Sequence, residues 1–292
     1  MDDIIQLESY MRHAIHEAEE SLREGNKGFG AVIIKDGEII ASAHDGEETQ
    51  ADPTSHAEIN AIKLAGKKIG KDLSGCLLLS TSEPCPMCAF AIAWSGIKEI
   101  AYGYSIQDAL AQGRRRILFL CTEAFDKAGM DITVHKGILQ RECSTLYRAD
   151  VRNEINRLRS VTDDDLRALN ADSIARRTAW FCENSAILRT EHSNLLDAAH
   201  HLLVSRFHTT ADEMPVVARS EKQITFHSMN FCPTLEACKI LRLDTRHVCK
   251  LLNEDSTNRL VKHIDHRLRF SRNYANLRPY TPFCEEFISL DD

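Results

Sequence analysis

The apolar residues of the first half of the chain form stretches of helical spacing that alternate with short strand-like runs. Positions 4–23 place an apolar residue every three or four residues, which predicts a helix that Gly25 ends. The runs 29–34 and 38–43 flank Asp36-Gly37, a dipeptide typical of a hairpin turn. The other predicted elements are strands at 77–79, 97–104 and 131–135, and helices that begin near His56, lead from the Glu83-Pro84 turn to Trp94, and cover 140–159.

Helices that alternate with strands predict an α/β layered sheet, and the opening hairpin makes that sheet mixed. A polar, acidic stretch at 160–165 predicts a linker, so we expect two domains, 1–158 and 159–292. In the second domain helical spacing predominates and only 216–229 is strand-like, which predicts a mostly α-helical domain. The helices predicted there cover 165–176, 178–205, 234–241 and 245–252.

The composition is that of an ordinary globular protein. The chain has 292 residues, 43% of them hydrophobic, and a formal net charge of −7. No apolar run approaches the ~18 residues of a membrane span, and the acidic start Met1-Asp2-Asp3 does not resemble a signal peptide. We therefore expect a cytoplasmic protein without a membrane partner, whose ten cysteines serve metal binding or catalysis more readily than disulfides.

The charge distribution argues against a nucleic-acid partner. Residues 1–158 contain 18 basic and 24 acidic side chains, a net charge of −6. The basic patch Arg114-Arg115-Arg116 is too short to reverse that balance, because a phosphate backbone calls for a larger cationic surface. A small molecule is therefore the expected substrate.

The strongest chemical signal is His56-Ala57-Glu58 followed by Pro84-Cys85-Pro86-Met87-Cys88. An imidazole and two thiolates are ligands that zinc prefers, and three protein ligands leave the fourth position of a catalytic site open. A structural zinc site would need a fourth ligand. This order, H-x-E and then P-C-x-x-C, is the signature of zinc deaminases. We expect one Zn²⁺ per chain, held by His56, Cys85 and Cys88.

Glu58 is the predicted catalytic residue. At the first turn of a helix that begins near His56, both side chains approach the same pocket. A carboxylate there takes a proton from the attacking water, gives it to a ring nitrogen and later protonates the departing ammonia. The predicted reaction is the hydrolytic removal of an exocyclic amine from a heterocycle.

Three segments of the first domain resemble the cytidine deaminase-like superfamily, in particular its branch of guanine, cytosine and tRNA adenosine deaminases. The segments are Phe29 to Ile33, Asp52 to Glu58 and Ser82 to Cys88. The resemblance covers residues 1 to about 158. It implies a three-layer α/β/α fold around a five-stranded mixed sheet, usually assembled as a homodimer.

The resemblance also implies positions that bind the substrate. Backbone amides after the zinc histidine line the pocket, the turn before the first cysteine faces the leaving amine, and the start of the first strand forms a wall around the base. A tryptophan on the cysteine helix resembles one that guanine deaminases carry, with packing in the core as its alternative. The residues are Phe29, Gly30, Ala31, Ala57, Ser82, Glu83 and Trp94.

Two departures from the family pattern bear on the substrate. Asp45 stands where the family usually has an asparagine that contacts the base, and a carboxylate only accepts hydrogen bonds. It either faces two N–H donors of the substrate or lies solvated in a loop. Arg114, Arg115 and Arg116 stand where guanine deaminases have acidic residues. They either favour a substrate with carboxylate, phosphate or carbonyl oxygens or lie in a solvated loop.

The second domain has a faint likeness to domains related to L-2-amino-thiazoline-4-carboxylate hydrolases, over 231–239 and 268–274. This likeness implies no site residues. A second metal site there is left open, against the alternative that buried cysteines act as small hydrophobic residues. Its candidate ligands are Cys232, Cys238, Cys249, Cys284, His247, His263 and His266.

We therefore expect a zinc-dependent deaminase of a free nucleobase or related amino-heterocycle, guanine-like first and cytosine-like second. The alternatives are a tRNA adenosine deaminase, a bifunctional hydrolase and a ligand sensor built on a deaminase scaffold. Glu58 argues against the sensor, because a merely structural zinc site has no use for that carboxylate.

Overall fold

The computed structural model describes residues 2–188 and 194–291. The chain divides into two compact units, 1–155 and 156–292, and each is described by itself. The domain boundary expected at residue 158 stays a prediction.

The first unit contains seven helices and five strands among its described residues. The bounds are α1 (Asp2–Glu24), β1 (Gly30–Lys35), β2 (Glu38–His44), α2 (Ala57–Ile69), β3 (Cys76–Ser82), α3 (Pro86–Trp94), β4 (Glu99–Tyr104), α4 (Ile106–Ala111), α5 (Cys121–Lys127), β5 (Thr133–Lys136), α6 (Gln140–Thr145) and α7 (Ala149–Leu158), whose last three residues lie in the second unit.

The five strands form one mixed sheet in the order β2-β1-β3-β4-β5. β1 pairs antiparallel with both β2 and β3, and β3, β4 and β5 run parallel. Asp36 and Gly37 both have positive φ, as a two-residue hairpin turn between β1 and β2 requires. The predicted α/β fold with a five-stranded mixed sheet is confirmed.

Helices cover both faces of this sheet. Ile33, Leu78 and Ile100 are fully buried in one core cluster, together with residues of α2, α3 and α5. On the other face α1 lies directly on β1, since a Cβ added to Gly30 would come within 2.0 Å of the Ala14 carbonyl oxygen. The parallel strands end at the edge where α2 and α3 begin, which positions the site described below.

Two features of the first unit differ from the sequence prediction. The helix expected over 140–159 is two helices, α6 and α7, because the chain turns between them. The short helices α4 and α5 were not predicted. α4 has six residues, too few for a helical period to show, and it begins at a capping box in which Ser105 and Asp108 bond each other's backbone amides.

The second unit packs helices against a four-stranded antiparallel sheet in the order β6-β7-β9-β8. Helical residues outnumber strand residues, so the expected mostly α-helical domain is confirmed. The strands β8 and β9 were not predicted. The bounds are α8 (Asp163–Leu188), α9 (Leu195–Arg206), β6 (Val216–Arg219), β7 (Gln223–Ser228), α10 (Pro233–Leu241), α11 (Thr245–Cys249), a π-helical turn (Lys250–Glu254), α12 (Asp255–Lys262), β8 (Leu268–Arg272) and β9 (Cys284–Leu290).

The long helices of the second unit differ slightly from prediction. α8 runs through Arg177, where a break between two helices was expected. The predicted helix over 178–205 includes positions 189–193, which lie outside the described residues. Throughout 2–188 and 194–291, every helix is too short or too polar to cross a membrane.

Candidate active site

The three predicted zinc ligands lie at the N-termini of two helices. His56 is the residue before α2 and has an extended backbone, while Cys85 holds the same position before α3. Pro86 is the first residue of α3, where its missing N–H costs nothing, and Cys88 follows within the first turn. Both helices direct their positive ends at the cluster, which favours thiolates.

The spacing of these side chains fits a tetrahedral zinc ion. His56 Nδ1 lies 3.5 Å from Cys85 Sγ and 3.4 Å from Cys88 Sγ, and all the ligand atoms lie within 4.8 Å of one another. With Zn–N and Zn–S bonds of ~2.05 and ~2.3 Å, two ligand atoms of a tetrahedral site are about 3.6 Å apart. Nδ1 is therefore the histidine atom that would bind the ion.

Glu47 supports the histidine from the other side of its ring. His56 Nε2 lies 3.8 Å from Glu47 Oε1, and Lys27 Nζ donates to that same oxygen at 2.8 Å. Metal-binding histidines commonly present their second ring nitrogen to a carboxylate, which fixes the ring's orientation. Sequence reasoning missed Glu47, although the acidic loop between β2 and α2 was the one signal that pointed to it.

Glu58 lies beside the ligands, as predicted. It is the second residue of α2 and only 6% exposed. Ser80 Oγ donates to Glu58 Oε1 at 3.1 Å, and Cys88 Sγ lies 3.4 Å from Glu58 Oε2. Burial, together with the negative charge of Cys85, raises the pKa of Glu58. A carboxyl group in this setting is suited to accept and return a proton.

The cysteines differ in their protonation before a metal binds. Hydrogen bonds from Cys88 and His56 lower the pKa of Cys85 to about 4, so this sulfur is a thiolate at neutral pH. The same contact with Cys85, together with burial, raises the pKa of Cys88. A divalent cation placed between them would stabilise both sulfurs as thiolates.

Asp45 is bonded to neighbouring segments of its own chain. Its side chain is fully buried, and it accepts hydrogen bonds from Ser21 Oγ at 2.6 Å and from the backbone amides of Lys27 at 2.9 Å and Phe29 at 2.7 Å. These donors use both carboxylate oxygens. The alternative of a solvated loop is therefore wrong, because the side chain is buried. A contact between Asp45 and the substrate stays a prediction. Asp45 fixes the path of the chain from α1 into β1.

Three further predicted substrate residues are packing residues in this structure. Gly30 is required where α1 crosses β1, and its amide donates to Thr81 Oγ1 at 3.1 Å. Ala31 and Ala57 are fully buried in the core between the sheet and α2. A contact between any of them and a substrate stays a prediction.

The turn after β3 positions the surrounding helices. Glu83 is buried, and its carboxylate accepts from the amide of Ile106 at 3.0 Å and from that of Cys121 at 3.2 Å, the first residues of α4 and α5. The Glu83 side chain therefore holds the first residues of α4 and α5 in place. Ser82 Oγ accepts a long hydrogen bond of 3.4 Å from Arg116 Nη2. The proposal that this turn faces the leaving amine stays a prediction.

Phe29 is half-buried next to two of the arginines. Its ring centroid lies 5.2 Å from that of Tyr147, and the Arg116 guanidinium carbon lies 4.9 Å from the Phe29 centroid. Arg114 lies 4.9 Å over the ring of Tyr147. Burial lowers the pKa of Arg114, and its Nη1 is buried without a hydrogen-bond partner in the described part of the chain.

The solvated-loop alternative therefore fits Arg115, which is exposed, and fails for Arg114 and Arg116. Cation–π contacts bring these two guanidinium groups against the aromatic pair of Phe29 and Tyr147. Tyr147 was also missed by sequence reasoning, because its place beside Phe29 depends on how α6 and α7 fold back over the sheet.

Trp94 is the last residue of α3 and is 94% exposed. The alternative that it packs in the core of its own chain is therefore wrong. It borders a surface groove with Ile62, Gly66 and Leu73. Its predicted contact with a substrate is untested and stays a prediction.

The comparison with known proteins agrees with this geometry. Residues 4–104 match the family model described as the cytidine and deoxycytidylate deaminase zinc-binding region. The guanine deaminase of Bacillus subtilis (strain 168) is 43% identical over 108 residues, which are 36% of this chain and 69% of that protein. The tRNA-specific adenosine deaminase of the same strain is 36% identical over 146 residues, 50% of this chain and 88% of that protein.

Among solved structures, the X-ray structure of guanine deaminase from Bacillus subtilis is 40% identical to this chain, with a TM-score of 0.36. The match covers 37% of this chain and 71% of that one. Each of these three matches covers at most half of the chain.

Proposed function

Because the chain belongs to the cytidine and deoxycytidylate deaminase family, whose members are aminohydrolases of cyclic amidines, we propose that it is a zinc-dependent deaminase of a free nucleobase or related amino-heterocycle. The observation that carries the proposal is the position of Glu58. This buried carboxyl group lies 3.4 Å from the sulfur of a metal ligand and is oriented by Ser80. A structural metal site makes no use of such a group.

Each side chain of the site has a separate role in the proposed reaction. His56, Cys85 and Cys88 would hold the zinc ion, which when bound supplies Lewis-acid activation of the attacking water. Glu58 accepts one proton of that water on its carboxylate and passes it to the ring nitrogen next to the reacting carbon. It then takes the second proton from the hydroxyl group that has added to this carbon and delivers it to the amine, which leaves as ammonia when the C–N bond breaks and the carbonyl forms. Ser80 keeps one carboxylate oxygen in place, so the other is directed at the ligand cluster.

We propose a guanine-like base as the first choice of substrate, and a cytosine-like base as the second. The similarity to a guanine deaminase supports the first choice. The guanidinium groups of Arg114, over the ring of Tyr147, and of Arg116, over the ring of Phe29, would donate hydrogen bonds to a ring carbonyl oxygen, which guanine and cytosine both carry.

We also propose that the protein is a cytoplasmic homodimer. α2 and α3 expose Leu64, Phe90 and Trp94 at 45%, 45% and 94%, an apolar surface of the kind that a second copy covers. All ten cysteines are free thiols, which fits a reducing compartment.

Ammonia release tests the function directly. The zinc-loaded chain should be assayed on guanine, cytosine, adenine, their nucleosides and a tRNA anticodon stem–loop. We expect turnover of a free base, with guanine fastest. Turnover confined to the RNA would contradict the free-base proposal, and the absence of turnover on every substrate would contradict the deaminase proposal for this panel.

Glu58→Ala provides the mechanistic control. It should keep its zinc and its melting temperature but lose at least ~10² to 10⁴ in rate, because proton transfer by a positioned group supplies about that much. Glu48→Ala, an exposed carboxylate of the neighbouring loop, should keep the wild-type rate. Equal rates in Glu58→Ala and wild type would rule out the proposed role.

A further inference from the structure

The second unit contains a cavity of about 270 Å³ that is lined by charged groups. It lies where the ends of β7, β8 and β9 meet α8 and the start of α10. Three arginines, Arg177, Arg272 and Arg278, contribute to its lining, against one carboxylate, Glu286, among the described residues. The lining therefore carries an excess of about two positive charges.

The carboxylate is already occupied by its neighbours. Arg272 on β8 stands directly opposite Glu286 on β9, and Arg272 Nε donates to Glu286 Oε1 at 2.5 Å. Ser228 Oγ donates to the other oxygen of Glu286. Arg272 Nη1 is nonetheless buried without a hydrogen-bond partner within the part of the chain that is described. Because buried donors in proteins are almost always bonded, an acceptor is missing at this atom.

Arg177 is buried, and its described hydrogen bonds are to neutral groups. It donates to Thr257 Oγ1 at 2.6 Å and to Asn253 Oδ1 at 3.4 Å, the latter from the π-helical turn. Burial and the positive charge of Arg272 lower the pKa of Arg177 to about 9. Two repelling guanidinium groups in one cavity are stabilised by an anion placed between them.

Arg278 is held against the cavity by contacts that do not neutralise it. Its Nη1 donates to the carbonyl oxygen of Asn230 at 2.8 Å, and its Nε lies 3.4 Å from Cys284 Sγ. The N-terminus of α10, with Cys232 and Pro233, adds the positive end of a nine-residue helix. Burial raises the pKa of the Cys232 thiol, so this wall residue is neutral.

The remaining wall is apolar. Phe207, Phe231 and Leu277 line the cavity, and Phe231 is 38% exposed. The volume lies just below the ~300 to 1,000 Å³ that is typical of pockets for small organic ligands. The cavity therefore offers a cationic part for one anionic group and an apolar part for a short carbon framework.

We propose that this cavity is a binding site for a small organic phosphate, whose dianionic group contacts Arg177, Arg272 and Arg278 and whose carbon part lies against Phe231 and Leu277. A phosphate dianion matches the excess of two charges, and the planar guanidinium fork bonds two phosphate oxygens at once. The site lies wholly within the second unit. It does not depend on the predicted zinc ligands or on the function proposed for the first unit.

Calorimetric titration of the full chain at constant ionic strength tests the site. The probes are inorganic phosphate, phenyl phosphate, phenol and succinate. We expect both phosphates to bind, phenyl phosphate more tightly because its ring contacts the apolar wall, and phenol to give no heat of binding. Binding of succinate without binding of either phosphate would contradict the assignment to phosphate. The absence of binding by all four probes would contradict the proposed site.

Arg278→Gln locates the binding. Its amide reaches only the position of the present Nε beside Cys284 Sγ, and the positive charge is removed. We expect phosphate affinity to fall about ten- to a hundred-fold, the usual effect of losing a charged hydrogen bond. Arg259→Gln removes an equal charge from the exposed face of α12 and should leave the affinity unchanged. Equal losses in both variants would show only non-specific attraction and overturn the proposal.

Cysteine labelling tests the site on the wild-type chain, so the result does not require that a variant folds. Cys284 lines the cavity, whereas Cys182 is exposed on α8. Alkylation followed by peptide mapping should be slowed several-fold by phenyl phosphate at Cys284 and be unchanged at Cys182. Unchanged rates at both thiols, at a phenyl phosphate concentration that saturates the calorimetric signal, would place the binding elsewhere.

Discussion

At the scale of single residues, two buried carboxyl groups of the first unit have opposite roles because their donors differ. Asp45 accepts from one hydroxyl and two backbone amides of its own chain, so both of its carboxylate oxygens are bonded. Glu58 accepts from the Ser80 hydroxyl and from the sulfur of Cys88, one of the predicted zinc ligands. Burial raises the pKa of Glu58, so this carboxyl group takes up a proton more readily than an exposed one. Glu58 is the carboxyl group left able to exchange a proton.

Asp45→Asn should therefore lower stability and leave substrate preference unchanged. An asparagine in the same place directs an NH₂ group at one of the present donors, and a buried donor left without an acceptor costs about 1 to 3 kcal/mol. Urea denaturation of both proteins measures the loss. Asp36→Asn in the exposed hairpin turn is the control and should be nearly neutral, since Asn tolerates its positive φ. A changed ratio of guanine to cytosine turnover with intact stability would contradict this role for Asp45.

The residues that could be predicted are those whose chemistry is local in sequence. His56, Glu58, Cys85 and Cys88 follow from the spacing of two short motifs, because each motif straddles the start of one helix. The role of Asp45 depends on burial and on hydrogen bonds from residues up to 24 positions away in the sequence. The spacing of a short motif gives no information about such contacts.

At the scale of elements, the contact between α1 and the end of β2 contains a titratable group, His44. His44 ends β2, and its Nδ1 lies 2.8 Å from Glu17 Oε2 while its Nε2 lies 3.2 Å from Glu24 Oε2. The hydrogen bond to Glu17, against the opposing effect of burial, raises the pKa of His44 above its ordinary value near 6.5. The folded state therefore binds the proton more tightly than the unfolded chain.

This linkage fixes the sign of the pH dependence. The stabilisation from His44 is complete below the unfolded pKa of about 6.5 and is lost as pH rises through the higher folded pKa. His44→Gln should cost more stability at pH 6 than at pH 9, by a few tenths to about 1 kcal/mol for a partly exposed pair. Denaturation curves at the two pH values measure it, and Glu17→Gln should remove most of the difference. A cost equal at both pH values would contradict the prediction.

The strands β8 and β9 show why some elements escaped prediction. Strand alternation is recognised when apolar side chains point inward at every second residue. β9 points Glu286 inward instead, next to Ile288, and β8 presents Arg272 to it from the facing position. A buried ion pair between strands interrupts the apolar pattern on both of them. The same pair lines the cavity of the second unit, so residues of the proposed phosphate site also interrupt the apolar pattern by which strands are recognised.

At the scale of the whole molecule, the apolar face of α2 and α3 determines the expected assembly. Trp94→Ser should convert the proposed dimer into a monomer, because an exposed indole contributes a large contact area to an interface. Light scattering after size-exclusion chromatography gives the mass directly. Leu118→Ser, which removes a 70% exposed side chain outside these helices, should keep the wild-type mass. A wild-type chain that is already monomeric would contradict the dimer.

The division into two units predicts where the deaminase activity resides. Each unit buries a hydrophobic cluster of its own, and the zinc cluster, Glu58 and Phe29 all belong to the first. A fragment of residues 1–158, which keeps α7 complete, should therefore fold, bind zinc and deaminate at a rate close to that of the full chain. Its far-ultraviolet spectrum and zinc content serve as controls for folding. A folded, zinc-loaded fragment without activity would mean that the second unit completes the active site, whereas an active fragment leaves the second unit free for a separate role such as phosphate binding.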